Sequence, residues 1–95
     1  MSKKVIDVKQ NSKFKKQLQK APTSVKRAFR NRFALFVIDQ FHPILRNHML
    51  TGNYQGYRSI NITGDWRALY REVLFTDNRV IIEFHLFGTH SQLYK

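Results

Sequence analysis

Apolar residues recur along this chain with two different periods, and the change between them limits what it can fold into. Val25, Phe29, Phe33, Phe36, Val37 and Phe41 stand three and four apart. That spacing predicts an amphipathic helix of about 16 residues with one apolar stripe. From Tyr57 onward the period falls to two, as strands require. A striped helix and alternating strands each bury only one face, so each needs the other as a cover. The chain is 95 residues long, which suits a single domain spanning residues 1–95.

The remaining elements follow from local signals. Val5 to Val8 is a short β-prone run. Asn11-Ser12 caps a first helix that carries Phe14 and Leu18 four apart. Ala21-Pro22-Thr23-Ser24 breaks it and offers a second cap, so the two helices read as a hairpin. Pro43 disfavours the α region at His42 and is expected to end the second helix there. Residues 44–56 are expected to be loop, with Gly52-Asn53 and Gly56 as turn residues. Tyr57 to Ile62 places Ile60 and Ile62 on one face and Tyr57, Ser59 and Asn61 on the other. Trp66 to Phe75 is expected to point Leu69 and Val73 inward. Thr76 to Arg79 makes a hairpin turn. Val80 to Phe87 then alternates, with Val80, Ile82, Phe84 and Leu86 inward and Ile81, Glu83, His85 and Phe87 outward. Gly88 is expected to stop that strand, leaving Thr89 to Lys95 as a tail. The fold class is α+β: an N-terminal strand and a helical hairpin packed on a mostly antiparallel four-stranded sheet.

Charge is unevenly placed. Seventeen Lys and Arg face six Asp and Glu, for a net +11. Residues 1–32 hold eleven of the basic residues and a single acid, Asp7, for +10. The remaining 63 residues are close to neutral and hold all four histidines, His42, His48, His85 and His90. A chain this cationic is drawn to polyanions. Its 42% hydrophobic content excludes a disordered basic tail. With no cysteine, disulfides, thiol catalysis and cysteine-zinc sites are excluded, and a reducing cytoplasm is the expected compartment. Phe33 to Ile38 is the longest apolar run, far short of a membrane span. After Met1-Ser2-Lys3-Lys4 no apolar signal core follows.

No Gly-rich phosphate loop, metalloprotease helix or nucleophile elbow is present, and no histidines stand at helical ligand spacing for a metal. What remains is a polar set that a meander can bring to one end of the sheet: His48 in the loop, Asn61 on one strand, Asp65, Trp66 and Arg67 on the next, His90 and Tyr94 in the tail. Such a set suits metal-free RNA cleavage. The ribose 2′-OH must lose a proton, the 5′-oxygen must gain one, and the phosphorane needs fixed positive charge. Histidines move protons near neutrality, arginine forks match phosphate oxygens, and aromatic rings stack on bases. Each residue also has a plainer role. A loop histidine is ordinarily solvated, Asp65 after Gly64 is an ordinary turn residue, and Trp66 fits a half-buried place at the sheet edge. Arg67 alternates with Leu69 and Val73, which places it outside a site unless it sits at the core's rim.

Three blocks carry a resemblance. Residues 47–58, Asn-His-Met-Leu-Thr-Gly-Asn-Tyr-Gln-Gly-Tyr-Arg, resemble the His-x-Leu-x-Gly and Gly-Tyr-Arg run of the RelE/ParE toxin superfamily in its YafQ-like branch. Gly64-Asp65-Trp66-Arg67-Ala68-Leu69-Tyr70 resembles that branch's Asp-Trp strand. Gly88-Thr89-His90-Ser91-Gln92-Leu93-Tyr94 resembles its ending. The blocks keep the family's order, while residues 1–46 match in layout alone. The resemblance implies a toxin of a type II toxin–antitoxin system, a ribosome-dependent endoribonuclease that cuts mRNA in the A site by 2′-OH attack without cofactor or metal. It implies His48 and Asp65 as candidates for general base and His90 as general acid. Arg67 matches an arginine that the more distant RelE and YoeB relatives use at the transition state, where YafQ-like members often have an apolar residue. Arg58 and Arg46 are expected near the phosphate, and Asn61, Trp66 and Tyr94 around the substrate. Two departures stand out: Asn61 occupies a position that is usually His in this branch, and Tyr94 one that is commonly Phe. An amide orients but cannot act as a base. The expected partners are a cognate acidic antitoxin that covers the basic surface or displaces the tail, the ribosome with its rRNA, and mRNA, with no membrane. Lys13, Lys15, Lys16, Lys20, Lys26, Arg27 and Arg30 are expected to dock on rRNA phosphates. The rival readings are a non-catalytic gyrase inhibitor of the ParE kind and a plain RNA-binding domain.

Overall fold

The structure is a computed structural model that describes residues 5–94. Met1-Ser2-Lys3-Lys4 and Lys95 lie outside the described residues. β1 (Val5–Gln10) leads into α1 (Ser12–Gln19) and α2 (Thr23–Ile38). Asn11 Oδ1 accepts from Phe14 N–H at 2.8 Å and starts α1, as its residue type favours. Then come β2 (His48–Met49), β3 (Arg58–Thr63), β4 (Trp66–Phe75), β5 (Arg79–Thr89) and α3 (His90–Leu93). The sheet runs β1-β5-β4-β3-β2, with β1 parallel to β5 and the other pairs antiparallel. Among the described residues it has five strands where four were expected, because two residues are too few to display a period.

The helical hairpin covers one face. Phe14 lies 5.5 Å from Phe29, 5.3 Å from Phe84 and 5.6 Å from Phe87, ring centre to ring centre. Phe36 meets Tyr70 and Phe84 at 5.1 and 5.4 Å. Ile60, Ile62, Ala68, Val80 and Ile82 complete this core.

α2 ends at Ile38, before the proline. Asp39 turns extended, its carboxylate accepts from Phe41 N–H at 3.3 Å, and its carbonyl accepts from His42 N–H at 3.1 Å. These local bonds offer the backbone an alternative to another helical turn. Phe41 therefore leaves the core stripe, is 57% exposed, and carries the Arg58 guanidinium 5.1 Å over its ring.

Two bulges overturn the strict alternation expected on the last strands. Leu69 pairs with Leu86 while Tyr70 pairs with Phe84, so His85 is an extra residue in β5. The extra residue reverses the phase beyond it. Phe87, expected outward, is therefore buried against Phe14 and Phe29, and Leu86 faces the other way. Val73 is likewise extra in β4, between Glu72 paired with Ile82 and Leu74 paired with Ile81. It is 53% exposed rather than inward. Leu69 is buried, but Tyr70 and Ala68 hold the helix-facing side. Arg67 and Leu69 thus share the face away from the helices. Gly88 does not stop β5, which runs on to Thr89.

Candidate active site

The face away from the helices is partly covered by the 50–57 segment and the C-terminal turn. Between them lies a cleft of about 430 Å³ lined by Arg46, His48, Leu50, Ser59, Asn61, Arg67, His90 and Tyr94. Register explains the strand residues. Ser59 and Asn61 alternate with the core residues Ile60 and Ile62, and Asn61 pairs directly with Arg67 on β4.

The tail residues are held by a small capped helix. Thr89 Oγ1 accepts from Gln92 N–H at 3.2 Å, and Gln92 Oε1 accepts from Thr89 N–H at 2.9 Å. This reciprocal box satisfies two free donors at once. Glycine at position 88 leaves room for it: a Cβ there would stand 2.9 Å from Gln92 Oε1, and the end of that side chain would have to shift. The His90 N–H donates to the Asp65 carbonyl at 2.9 Å, which ties α3 to the β3–β4 turn. Leu93 is buried, and its carbonyl accepts from the Tyr54 hydroxyl at 2.5 Å. Tyr94 packs between Tyr54 (5.4 Å) and the His90 ring (4.5 Å). Its hydroxyl is pushed above the ordinary value near 10 by burial, an effect opposed by the Ser59 hydroxyl and more weakly by the Arg67 charge. It is thus a neutral hydrogen-bonding group at neutral pH.

His48 sits on the two-residue strand β2, opposite Ser59. Its Nδ1 is 2.8 Å from the carbonyl oxygen of Arg46. A carbonyl only accepts, so Nδ1 carries the proton and, in the neutral ring, Nε2 holds the free lone pair. Arg46 makes this contact from a left-handed backbone, with φ at 48° and ψ at 44°, which closes the 3₁₀ turn Pro43–Leu45. Arg67 donates from Nη1 to the carbonyls of Gly64 (2.9 Å) and Trp66 (3.1 Å), which fixes its guanidinium at the turn. Two arginines, two histidines, an amide and a tyrosine face one space, and among the described residues no carboxylate lines it.

Three expected residues are not brought into this cleft. Asp65 contributes its backbone carbonyl to His90, and its side chain is not among the lining groups. Trp66 lies on the helix-facing side, stacked on Phe87 at 5.5 Å, because it keeps phase with Ala68. Arg58 keeps phase with Ile60 and donates from Nε to Asn47 Oδ1 at 2.8 Å, beside Tyr70. Leu50 and Ser59 line the cleft without having been singled out. Ser59 was legible, since it alternates with Asn61. Leu50 carried no signal. Of the residues expected to dock, Lys13, Lys15, Lys16, Arg27 and Arg30 are exposed on α1 and α2, Lys20 is exposed just past the end of α1, and Lys26 is half-buried. Among the described residues no three His, Cys, Asp or Glu side chains gather as metal ligands, and no helix is long and apolar enough to cross a membrane.

Comparison with known proteins agrees with this architecture. The model of a family described as bacterial toxin of type II toxin–antitoxin system, YafQ, matches residues 6–95. Curated protein sequences include no match to the chain. Among solved structures, YafQ from E. coli strain BL21(DE3) superposes with a TM-score of 0.75 at 20% identity, covering 96% of this chain and 100% of that one. The E. coli DinJ-YafQ toxin–antitoxin complex gives 0.71 at 22% identity, over 94% and 97%. The YoeB/ParE toxin from Agrobacterium tumefaciens gives 0.69 at 16% identity, over 88% and 98%. At these identities the likeness establishes the fold.

Proposed function

This chain belongs to the YafQ family of bacterial type II toxins, and from that premise we propose that it is a ribosome-dependent endoribonuclease that cuts mRNA in the A site. The observation that carries the reading is the cleft itself, where two histidines and two arginines converge.

Each group has a task there. The free Nε2 of His48 takes the proton of the ribose 2′-OH as that oxygen attacks the adjacent phosphorus. Arg67, fixed at its turn, and Arg46 face the charge that grows on the phosphorane oxygens, where preorganised cations count most. His90 protonates the departing 5′-oxygen. The products are a 2′,3′-cyclic phosphate and a free 5′-hydroxyl. Asn61 orients by hydrogen bonding and moves no proton. Tyr94 offers a ring and a neutral hydroxyl. Of the two candidates for base, His48 is favoured over Asp65 because the Asp65 side chain is not in the cleft. Trp66 and Arg58 take no direct part and support the fold around the site.

The partners follow from charge. The helical face docks on rRNA phosphates through Lys13, Lys15, Lys16, Lys20, Lys26, Arg27 and Arg30. A cognate antitoxin, which the basic surface requires to be acidic, restrains the protein in the cytoplasm; the E. coli YafQ is found in complex with an antitoxin, DinJ.

The test is purified protein with programmed ribosomes and a labelled message. The expected result is cleavage within codons that EDTA does not prevent. His90→Ala is expected to lower the rate by roughly 10²–10⁴-fold at unchanged stability. Unchanged cleavage would remove His90 from the mechanism. Loss of gyrase supercoiling with intact RNA would replace the reading with a ParE-like inhibitor. RNA binding with neither effect would leave a plain binding domain.

A further inference from the structure

The cleft does not end at Asn61. A second compartment of about 540 Å³ opens where α2, the 3₁₀ turn and the β3–β4 turn meet, lined by Arg32, Pro43, Ile44, Arg46, Asn61, Ile62, Thr63 and Gly64. Arg46 and Asn61 line both spaces, so the two adjoin at those side chains as the compartments of a trough. The volume of each is in the range of ordinary ligand sites.

Three features make the second compartment receptive to an anion. Arg32 brings a guanidinium from the far end of the basic segment, half-buried on α2. Among the described residues, neither Arg32 nor Arg46 has an acidic partner within ion-pair distance, the two pairs being Arg79–Asp7 and His85–Glu83. β2 pairs only with Arg58 and Ser59, so the outer edge of β3 beyond Ser59 has no partner strand among the described residues. That edge presents backbone polar groups beside the Asn61 and Thr63 side chains. Pro43 and Ile44 supply an apolar wall suited to a sugar or base. Guanidinium forks, amide and hydroxyl donors, and one apolar wall are what a nucleotide phosphate with its ribose would use.

We propose that this compartment is a second nucleotide subsite, in which Arg32 binds the phosphate next to the scissile one while Arg46 lies between the two. The inference rests on the ribonuclease reading for its substrate class. It adds a residue, Arg32, and a consequence, which is that the trough grips at least two consecutive phosphates of a single strand.

The probe is a series of RNA oligomers of one to four nucleotides, 2′-O-methylated throughout so that no 2′-OH is left to attack. Affinity for the purified protein is measured by calorimetry at several salt concentrations. The wild type is expected to gain affinity in a step, on the order of tenfold, when the second phosphate is added. Arg32→Gln is expected to lose that step and to shallow the dependence of log affinity on log salt by about 0.7, the amount due to neutralising one single-strand phosphate. Arg32→Lys, which keeps the charge and gives up the fork, is expected to retain the salt slope and lose only part of the step. Equal melting temperatures exclude a folding defect. A wild type with no length step, or an Arg32→Gln protein that keeps it, overturns the proposal. So does an Arg32→Gln protein that keeps the step and instead loses affinity for an acidic peptide, which would assign the compartment to a protein contact. Because the oligomers are not cut, the step is read independently of cleavage. A length step without ribosomal cleavage would leave the subsite standing and the nuclease reading overturned.

Discussion

Single side chains hold the cleft in place from a distance. Tyr70 is buried, and its hydroxyl accepts from Gln40 Nε2 at 2.8 Å and from Asn47 Nδ2 at 2.6 Å. Asn47 in turn precedes His48 and receives Arg58, so this cluster anchors the backbone that carries the proposed base. Burial is the main cause that raises Tyr70 above its ordinary value near 10. A tyrosine held protonated by folding leaves stability unaffected below about pH 10 and lowers it as pH climbs through and beyond that value. Tyr70→Phe is expected to cost about 0.5–1.5 kcal/mol near neutrality, because two hydrogen bonds are lost while Gln40 keeps Glu72 and Asn47 keeps the Gln40 carbonyl as acceptors. It is also expected to blunt the alkaline fall in stability. Denaturant titrations at pH 7 and above pH 10 measure both. Arg46, besides its guanidinium, holds His48 through its backbone carbonyl. Arg46→Gly keeps the left-handed backbone, whereas Arg46→Val opposes it by about 1–2 kcal/mol. Nitrogen NMR of the His48 ring is expected to report the Nδ1-protonated form in the wild type and the Gly variant, and a loss of that preference in the Val variant.

At the scale of elements, the two bulges decide which residues build the core. Alternation places Val73 inward and Phe87 outward, and one extra residue in each strand exchanges those positions. Phe87→Ala is accordingly expected to cost about 3–5 kcal/mol, and Val73→Lys to stay within about 0.5 kcal/mol of wild type. Chemical denaturation of the two variants would show the reverse ranking if the strands ran without bulges. The same local detail explains the site. The phase of β4 that buries Ala68 and Tyr70 against the helices turns Arg67 into the cleft and Trp66 away from it. Periodicity recognises strands from alternation over several residues, so it could not register a two-residue strand or an inserted one.

Across the whole molecule, the sheet separates two surfaces to which the proposal gives different tasks. α1 and α2 present their lysines and arginines on one side, and the cleft lies on the other. Neutralising Lys13, Lys15 and Lys16 together is expected to weaken ribosome association and flatten its salt dependence, by about 0.7–0.9 in slope for each phosphate no longer neutralised, while the cleft keeps its geometry. Co-sedimentation between 50 and 200 mM salt measures this, and a variant that binds normally yet cuts poorly would contradict the division. The sequence alone determined the α+β class, the helical hairpin, the uneven charge, and the residues His48, Asn61, Arg67, His90 and Tyr94 that meet in the cleft. These are written in residue type, local spacing and three short blocks, which need no knowledge of distant contacts. Tertiary structure decided that Asp65 serves through its carbonyl, that Trp66 and Arg58 face the helix side, and that Arg32 joins the far end of the trough. Those outcomes depend on strand phase after a bulge and on which elements meet across the sheet edge, and packing settles both only once the chain has folded.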